Sequence, residues 1–103
     1  MKKTLCIDID NTICYTKDSN YYDSQPIMSR IDTINRLFHL GYIIVYWTAR
    51  GANSGIDWTD FTTKQLDEWG CLRHKLLFDK PHYDYWIDDK SCNSEVFFKL
   101  IEL

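Results

Sequence analysis

The chain has few of the features that would set it apart from an ordinary folded domain. Four glycines and two prolines in 103 residues exclude a collagen-like or low-complexity chain, and no linker or internal repeat is present. The longest apolar run, residues 42–47, is far short of the ~20 residues that cross a bilayer, so no membrane partner is expected. Positive charge is not in excess either. The formal net charge is −3 and no Lys/Arg stripe is visible, which argues against a nucleic-acid surface. Cys-x-x-Cys pairs are absent. Cys6, Cys14, Cys71 and Cys92 are too scattered for a zinc site or a disulfide framework, and are expected to be reduced thiols in a cytoplasmic protein. Met1-Lys2-Lys3 runs directly into apolar sequence, without the h-region of a signal peptide. The length fits one domain, 1–103, with a single core.

What is present is a run of alternating strand and helix signals. Residues 3–9 form an apolar stretch predicted to be a buried strand, with Cys6 serving as a small hydrophobe. Residues 13–25 are polar and tyrosine-rich. They are longer than a usual connection and are predicted to form a hairpin-like flap. Pro26 opens a helix on which Ile27, Ile31, Ile34 and Phe38 recur at helical spacing, and Gly41 closes it. Residues 42–47 are the clearest strand. Asp57 caps a second helix over 58–69 whose apolar face carries Trp58, Phe61, Leu66 and Trp69, stopped by Gly70. Strands over 75–78 and 83–87 follow. Asn93 or Ser94 then caps a last helix with Val96, Phe97, Leu100 and Ile101 inward. Alternation of this kind implies right-handed β-α-β crossovers and a parallel sheet of about four strands with helices on its faces, a three-layer α/β/α arrangement.

In such a sheet the carboxyl ends of all strands lie on one edge, where open α/β folds bind ligands. The first strand delivers Asp8, Asp10 and Thr12, the second Thr48 and Arg50, and the fourth Asp88 and Asp89, while Lys80 follows the third. Two carboxylates where an apolar strand runs out are costly unless something offsets their charge. A hard divalent cation would do so. Read alone, Asp8 and Asp10 could equally be turn formers, Asp10-Asn11 starting a bend.

Together these residues resemble the haloacid dehalogenase superfamily of phosphatases and phosphotransferases, over almost the whole chain. Asp8-Ile9-Asp10-Asn11-Thr12 matches its D-x-D-x-T signature. Tyr46-Trp47-Thr48 looks like the second motif, Lys80 like the third-motif lysine, and Ile87-Asp88-Asp89 like the acidic pair of the fourth. The resemblance implies a Mg2+-dependent phosphomonoester hydrolase. Asp8 would be the nucleophile that becomes an aspartyl-phosphate, and Asp10 the acid and base. Asp8, Asp10 (through its carbonyl), Asp88 and Asp89 would be the metal residues. Thr48 and Lys80 would hold phosphoryl oxygens, and Asn11, Thr12, Ala49 and Arg50 would lie against substrate. For Arg50 a surface ion pair is an equal alternative.

The stretches from Thr12 to Thr48 and from Thr48 to Lys80 are filled by the flap, helices and strands already assigned, so no cap domain is expected. The site would be open, or closed by a neighbouring subunit in a homo-oligomer. Tyr21 and Tyr22 are expected to pack the flap down, His39 to face solvent, and His74 to have no partner; His82, two residues past Lys80, is one of the candidates for substrate contact. The substrate implied is a small phosphorylated metabolite (a sugar, polyol or amino-alcohol), by analogy with family members in surface-polysaccharide or capsule metabolism. A polynucleotide 3′-phosphate is the alternative, opposed by the acidic balance. A receiver-type phosphoacceptor or a phospho-ligand-binding domain is the rival from other classes. Receivers end their first strand in the acidic pair and carry the phosphoacceptor on the third, the reverse of the order here.

Overall fold

The computed structural model describes residues 2–101; Met1, Glu102 and Leu103 lie outside them. Strand β1 (Thr4–Ile7) leads into a short hairpin made of β2 (Cys14–Tyr15) and β3 (Gln25–Pro26), with a single 3-10 turn at Tyr21–Asp23 between them. Helix α1 (Met28–His39), strand β4 (Ile43–Trp47), helix α2 (Thr59–Glu68), strand β5 (Lys75–Leu77) and helix α3 (Ser94–Ile101) complete the order. The main sheet is parallel, β1-β4-β5, with Thr4 opposite Ile43 and Val45 opposite Lys75. The hairpin is antiparallel, Cys14 opposite Pro26. It is the flap expected after the first strand, and its base is tied by the Ile27 N–H donating to the Ile13 carbonyl at 2.8 Å.

The core forms where these elements meet. Ile7 and Ile9 from the β1 end, Ile13 and Cys14 from the hairpin, Ile31 and Ile34 from α1, Ile44 and Tyr46 from β4, Leu66 from α2 and Phe98 from α3 make one buried cluster. Each fully buried isoleucine contributes about 1.5–3 kcal/mol. Gly41 ends α1 with φ +100°, a left-handed conformation that β-carbon sterics discourage in other residues, and the Tyr42 N–H returns to the Leu37 carbonyl. Asn35 of α1 then fixes the turn ahead of β5. Its amide donates to Gly70 O at 2.8 Å and accepts from the Leu72 N–H at 2.9 Å.

Four expectations are corrected. Residues 83–87 form no strand and are exposed. Trp86 instead packs edge-on against Trp47 and Tyr83, and its ring N–H points to Asp88, so side-chain contacts take the place of a ladder. Strand preference in aromatic residues reflects packing on a pleated surface, and here no neighbour supplies one. Among the described residues β1 consequently pairs on one edge only, and Cys6 is exposed rather than buried. On α3 the buried residue is Phe98, beneath the Arg30 guanidinium at 4.7 Å, whereas Val96 and Leu100 face solvent. His74 has partners. Its Nδ1 accepts the Ile44 N–H at 3.0 Å, its main-chain N–H donates to Ile44 O, and its ring stacks on Phe38.

Candidate active site at the strand ends

Asp8 stands one residue past β1, Thr48 one past β4, and Lys80 three past β5. The last two are tied through the main chain. Thr48 N–H donates to Leu77 O at 2.9 Å, and Lys80 N–H donates to Thr48 O at 3.2 Å. The bend that brings Lys80 back passes through Asp79, held at φ +65°, a region that aspartate tolerates better than most side chains. The Trp47 ring N–H braces the same bend by donating to Phe78 O. As a result Lys80 Nζ lies 3.7 Å from Asp8 Oδ1 and faces the rings of Tyr83 and Trp86.

Asp8 Oδ1 also accepts the Ile9 N–H at 2.9 Å. Among the described residues no hydrogen bond reaches Oδ2. Burial pushes the Asp8 carboxyl above its usual range, with Lys80 the largest opposing influence. The chain then turns sharply: Asn11 adopts φ +59°, and the Thr12 and Ile13 N–H groups both return to Ile9 O. This places Asp10 against the flap, where the Thr16 hydroxyl reaches it. Asn11 is exposed, its side chain accepting the Thr16 N–H, and Thr12 offers its carbonyl to Arg30.

Asp10 is gripped from three sides. Arg50 donates through Nε to Oδ2 at 3.0 Å and through Nη2 to Oδ1 at 2.8 Å, while the Thr16 hydroxyl donates to Oδ1 at 2.6 Å. Arg50 is therefore in an ion pair, as one expectation had it, but a buried one. Its side chain is fully enclosed. Nη1 donates to Thr62 Oγ1 at 3.2 Å and to Gln65 Oε1 at 2.7 Å, and the Tyr21 ring covers the guanidinium at 4.5 Å. Four of its five N–H donors are committed to Asp10, Thr62 and Gln65, which turns the guanidinium toward α2 and the flap. Thr48 is buried too, its hydroxyl oxygen accepting the Arg50 N–H at 3.1 Å, and the adjacent Ala49 carbonyl accepts the Ala52 N–H. Gly51 follows at φ +85°, where an added β-carbon would clash with the Ile56 carbonyl oxygen.

Asp88 and Asp89 are exposed. Asp88 is held below the usual carboxylate range by the adjoining Asp89 carboxyl, the Lys90 N–H and the Trp86 ring N–H. Among the described residues no three carboxylate, histidine or cysteine groups stand together. By donor type the Asp8 end suits a hard cation, since it presents a carboxylate oxygen free of hydrogen bonds. His82 is exposed and hydrogen-bonds none of these groups. Tyr21 and Tyr22 pack the flap down, both edge-on to Trp58.

Thr16, Thr62 and Gln65 went unnoticed in the sequence. Thr62 and Gln65 interrupt the apolar face of α2 one turn apart, and both are buried. Polar residues on the inward stripe of an amphipathic helix are the sign that could have found them. A depression of about 390 Å³ lies at the opposite end of the sheet, lined by Asp67 and residues 71–76, away from Asp8.

No protein-family model and no curated protein matches the chain. A crystal structure of a structural-genomics target from Vibrio cholerae has the same fold, with a TM-score of 0.84 and 25% identity. The match spans 97% of this chain and 94% of that one. No helix among the described residues is long and apolar enough to cross a membrane.

Proposed function

We propose that the chain is a phosphomonoester hydrolase of the haloacid dehalogenase type, acting through an aspartyl-phosphate on Asp8. The observation that carries this reading is the state of Asp8. It is a carboxylate raised by burial, with Lys80 3.7 Å from one oxygen and, among the described residues, no hydrogen bond on the other. An oxygen without a donor keeps its lone pairs for attack, and the lysine supplies a cation where phosphoryl charge would gather.

In the proposed reaction Asp8 Oδ2 forms a bond to phosphorus as the bond from phosphorus to the leaving alcohol oxygen breaks. Water then attacks the same phosphorus, giving inorganic phosphate and free Asp8. Asp10 is the proton carrier. Arg50 and Thr16 occupy Oδ1 twice and Oδ2 once, which leaves one lone pair of Oδ2 to give a proton to the alcohol and take one from the water. Mg2+ would be held by Asp8 and the Asp10 carbonyl, with Asp88 and Asp89 on the 83–90 segment as further carboxylates. When bound it would neutralise charge on the phosphoryl group. The uncapped strand ends suit a small phosphorylated sugar, polyol or amino-alcohol.

Phosphate release from a panel of phosphomonoesters, with and without Mg2+, tests the reading. The panel includes p-nitrophenyl phosphate, sugar and polyol phosphates and a 3′-phosphorylated oligonucleotide. Mg2+-dependent turnover that disappears in Asp8→Asn is expected. A protein that takes phosphate from acetyl phosphate and keeps it would instead be a phosphoacceptor switch.

A further inference from the structure

The Arg50 side chain makes four hydrogen bonds, and neither nucleophilic attack nor phosphate binding requires it to be held so closely. Its guanidinium holds both oxygens of Asp10. It is held in turn by Thr62 and Gln65 of α2 and roofed by Tyr21 of the flap. Gln65 closes the circuit, since its amide donates to the Tyr21 carbonyl at 2.9 Å. Thr16 completes it from the hairpin, its hydroxyl lying 2.6 Å from Asp10 Oδ1 and 2.7 Å from Ser24 Oγ. A fork of this kind fixes a carboxylate's plane as well as its distance. Arg50 has no contact with water, so it is tied to the partners it now has, while Asp10 keeps part of its surface open.

We propose that Arg50 is the positioning residue of Asp10. It fixes that carboxylate with one lone pair of Oδ2 open for proton transfer, and through Gln65 and Tyr21 it makes this placement depend on the flap being seated. The inference rests on the phosphatase reading and adds to it a named support for the acid/base step. The flap then has a role beyond covering the site: a flap lifted off Trp58 and Phe61 uncovers Arg50 and loosens Asp10.

The test compares two leaving groups. Nitrophenolate departs without a proton, whereas an alkoxide needs one, so the kcat/KM ratio of glycerol phosphate to p-nitrophenyl phosphate reports the acid. In Arg50→Lys the ratio is expected to fall by about 10–100-fold, with p-nitrophenyl phosphate retained within a few-fold. Gln65→Met touches neither Asp10 nor substrate, and is expected to lower the ratio in the same direction by about 3–10-fold. It also keeps the test open if Arg50→Lys folds poorly, which circular dichroism would show. Equal loss on both substrates means a merely structural residue. A raised KM on both with the ratio unchanged means a substrate contact. Either result overturns the inference. Turnover absent from the wild type removes the phosphatase reading and the inference with it. Turnover that is lost in Asp8→Asn but shows no change of ratio in the two variants removes the inference alone.

Discussion

Lys80 Nζ lies 3.7 Å from Asp8 Oδ1, each residue carried just past the end of its own strand. Lys80 is the strongest influence holding the Asp8 carboxyl down against burial. A nucleophilic carboxyl must be ionised, so activity rises with pH through its titration. Lys80→Met removes the counterweight, and the acidic limb of kcat/KM for p-nitrophenyl phosphate should move to higher pH at fixed Mg2+. The plateau should also fall by about 100-fold or more, the scale of losing one charge-stabilising group. A lower plateau with an unmoved limb would make Lys80 a phosphate ligand with no hold on Asp8.

The same burial has a cost in stability. A carboxyl raised on folding binds its proton more tightly in the native state. The contribution of Asp8 to stability is therefore greatest at low pH and declines as pH climbs from the unfolded value, about 3.9, through the raised one. Asp8→Asn cannot ionise and escapes that decline. Over a third of the Asp8 side chain meets solvent, which screens the effect to about 0.5 kcal/mol, or a gain of about 2–4 °C in Tm at pH 7. The gain should shrink below pH 4. Calorimetry showing a less stable Asp8→Asn at neutral pH would mean that the pair with Lys80 outweighs burial.

His74 affects the fold and not the chemistry. Its Nδ1 is the acceptor for the N–H of Ile44, a fully buried residue of the central strand. His74→Ala leaves that donor without a partner and removes the stack on Phe38. The expected loss is about 1–3 kcal/mol, read as a lower urea midpoint with unchanged m-value. Turnover per folded molecule should be unaffected, because the residue lies at the amino end of β5, far from Asp8.

Much of this arrangement was legible in the sequence, for identifiable reasons. The run 42–47 is apolar on both faces and became the middle strand β4. Gly41 and Gly70 ended helices because both take positive φ, and Asn93 capped α3 through its Oδ1 accepting the Glu95 N–H. Asp8, Thr48 and Lys80 met at one edge because parallel strands point their ends the same way. What local pattern could not give was whether a strand-like segment finds a partner. Residues 83–87 have alternating aromatic character, but pairing is decided by a neighbour distant in sequence. The same holds for Arg50, whose fate depended on Thr62 and Gln65 occupying the inward stripe of α2.

Tyr46 is buried in β4, and among the described residues its hydroxyl has no hydrogen-bond partner. The Cys71 thiol adjoins it without hydrogen-bond geometry. An unpaired buried hydroxyl loses its water and gains nothing, so deleting it should stabilise the fold. Tyr46→Phe is expected to raise stability by about 0.5–1 kcal/mol. Denaturant titration giving a loss of 1 kcal/mol or more would reveal a partner, such as a buried water, that the hydroxyl serves.

The four thiols should separate into two classes on alkylation at pH 8. Cys6 and Cys92 are exposed, Cys14 and Cys71 buried. The thiolate is the reactive form, and burial pushes Cys71 up to about 12 and Cys14 upward as well. Mass spectrometry after brief iodoacetamide treatment should find Cys6 and Cys92 labelled, with the other two reacting only after unfolding. Burial also raises Cys6, though it is less enclosed than Cys71, so its labelling should trail that of Cys92. Cys6 is the informative one because it sits on β1, which among the described residues is an edge strand of the main sheet. Labelling there soon after Cys92 and well before Cys14 and Cys71 means the outer edge of the sheet is open to solvent. Protection equal to that of Cys71 would mean that residues 83–87 cover the edge in solution, bringing Asp88 toward the end of β1 and restoring the fourth strand.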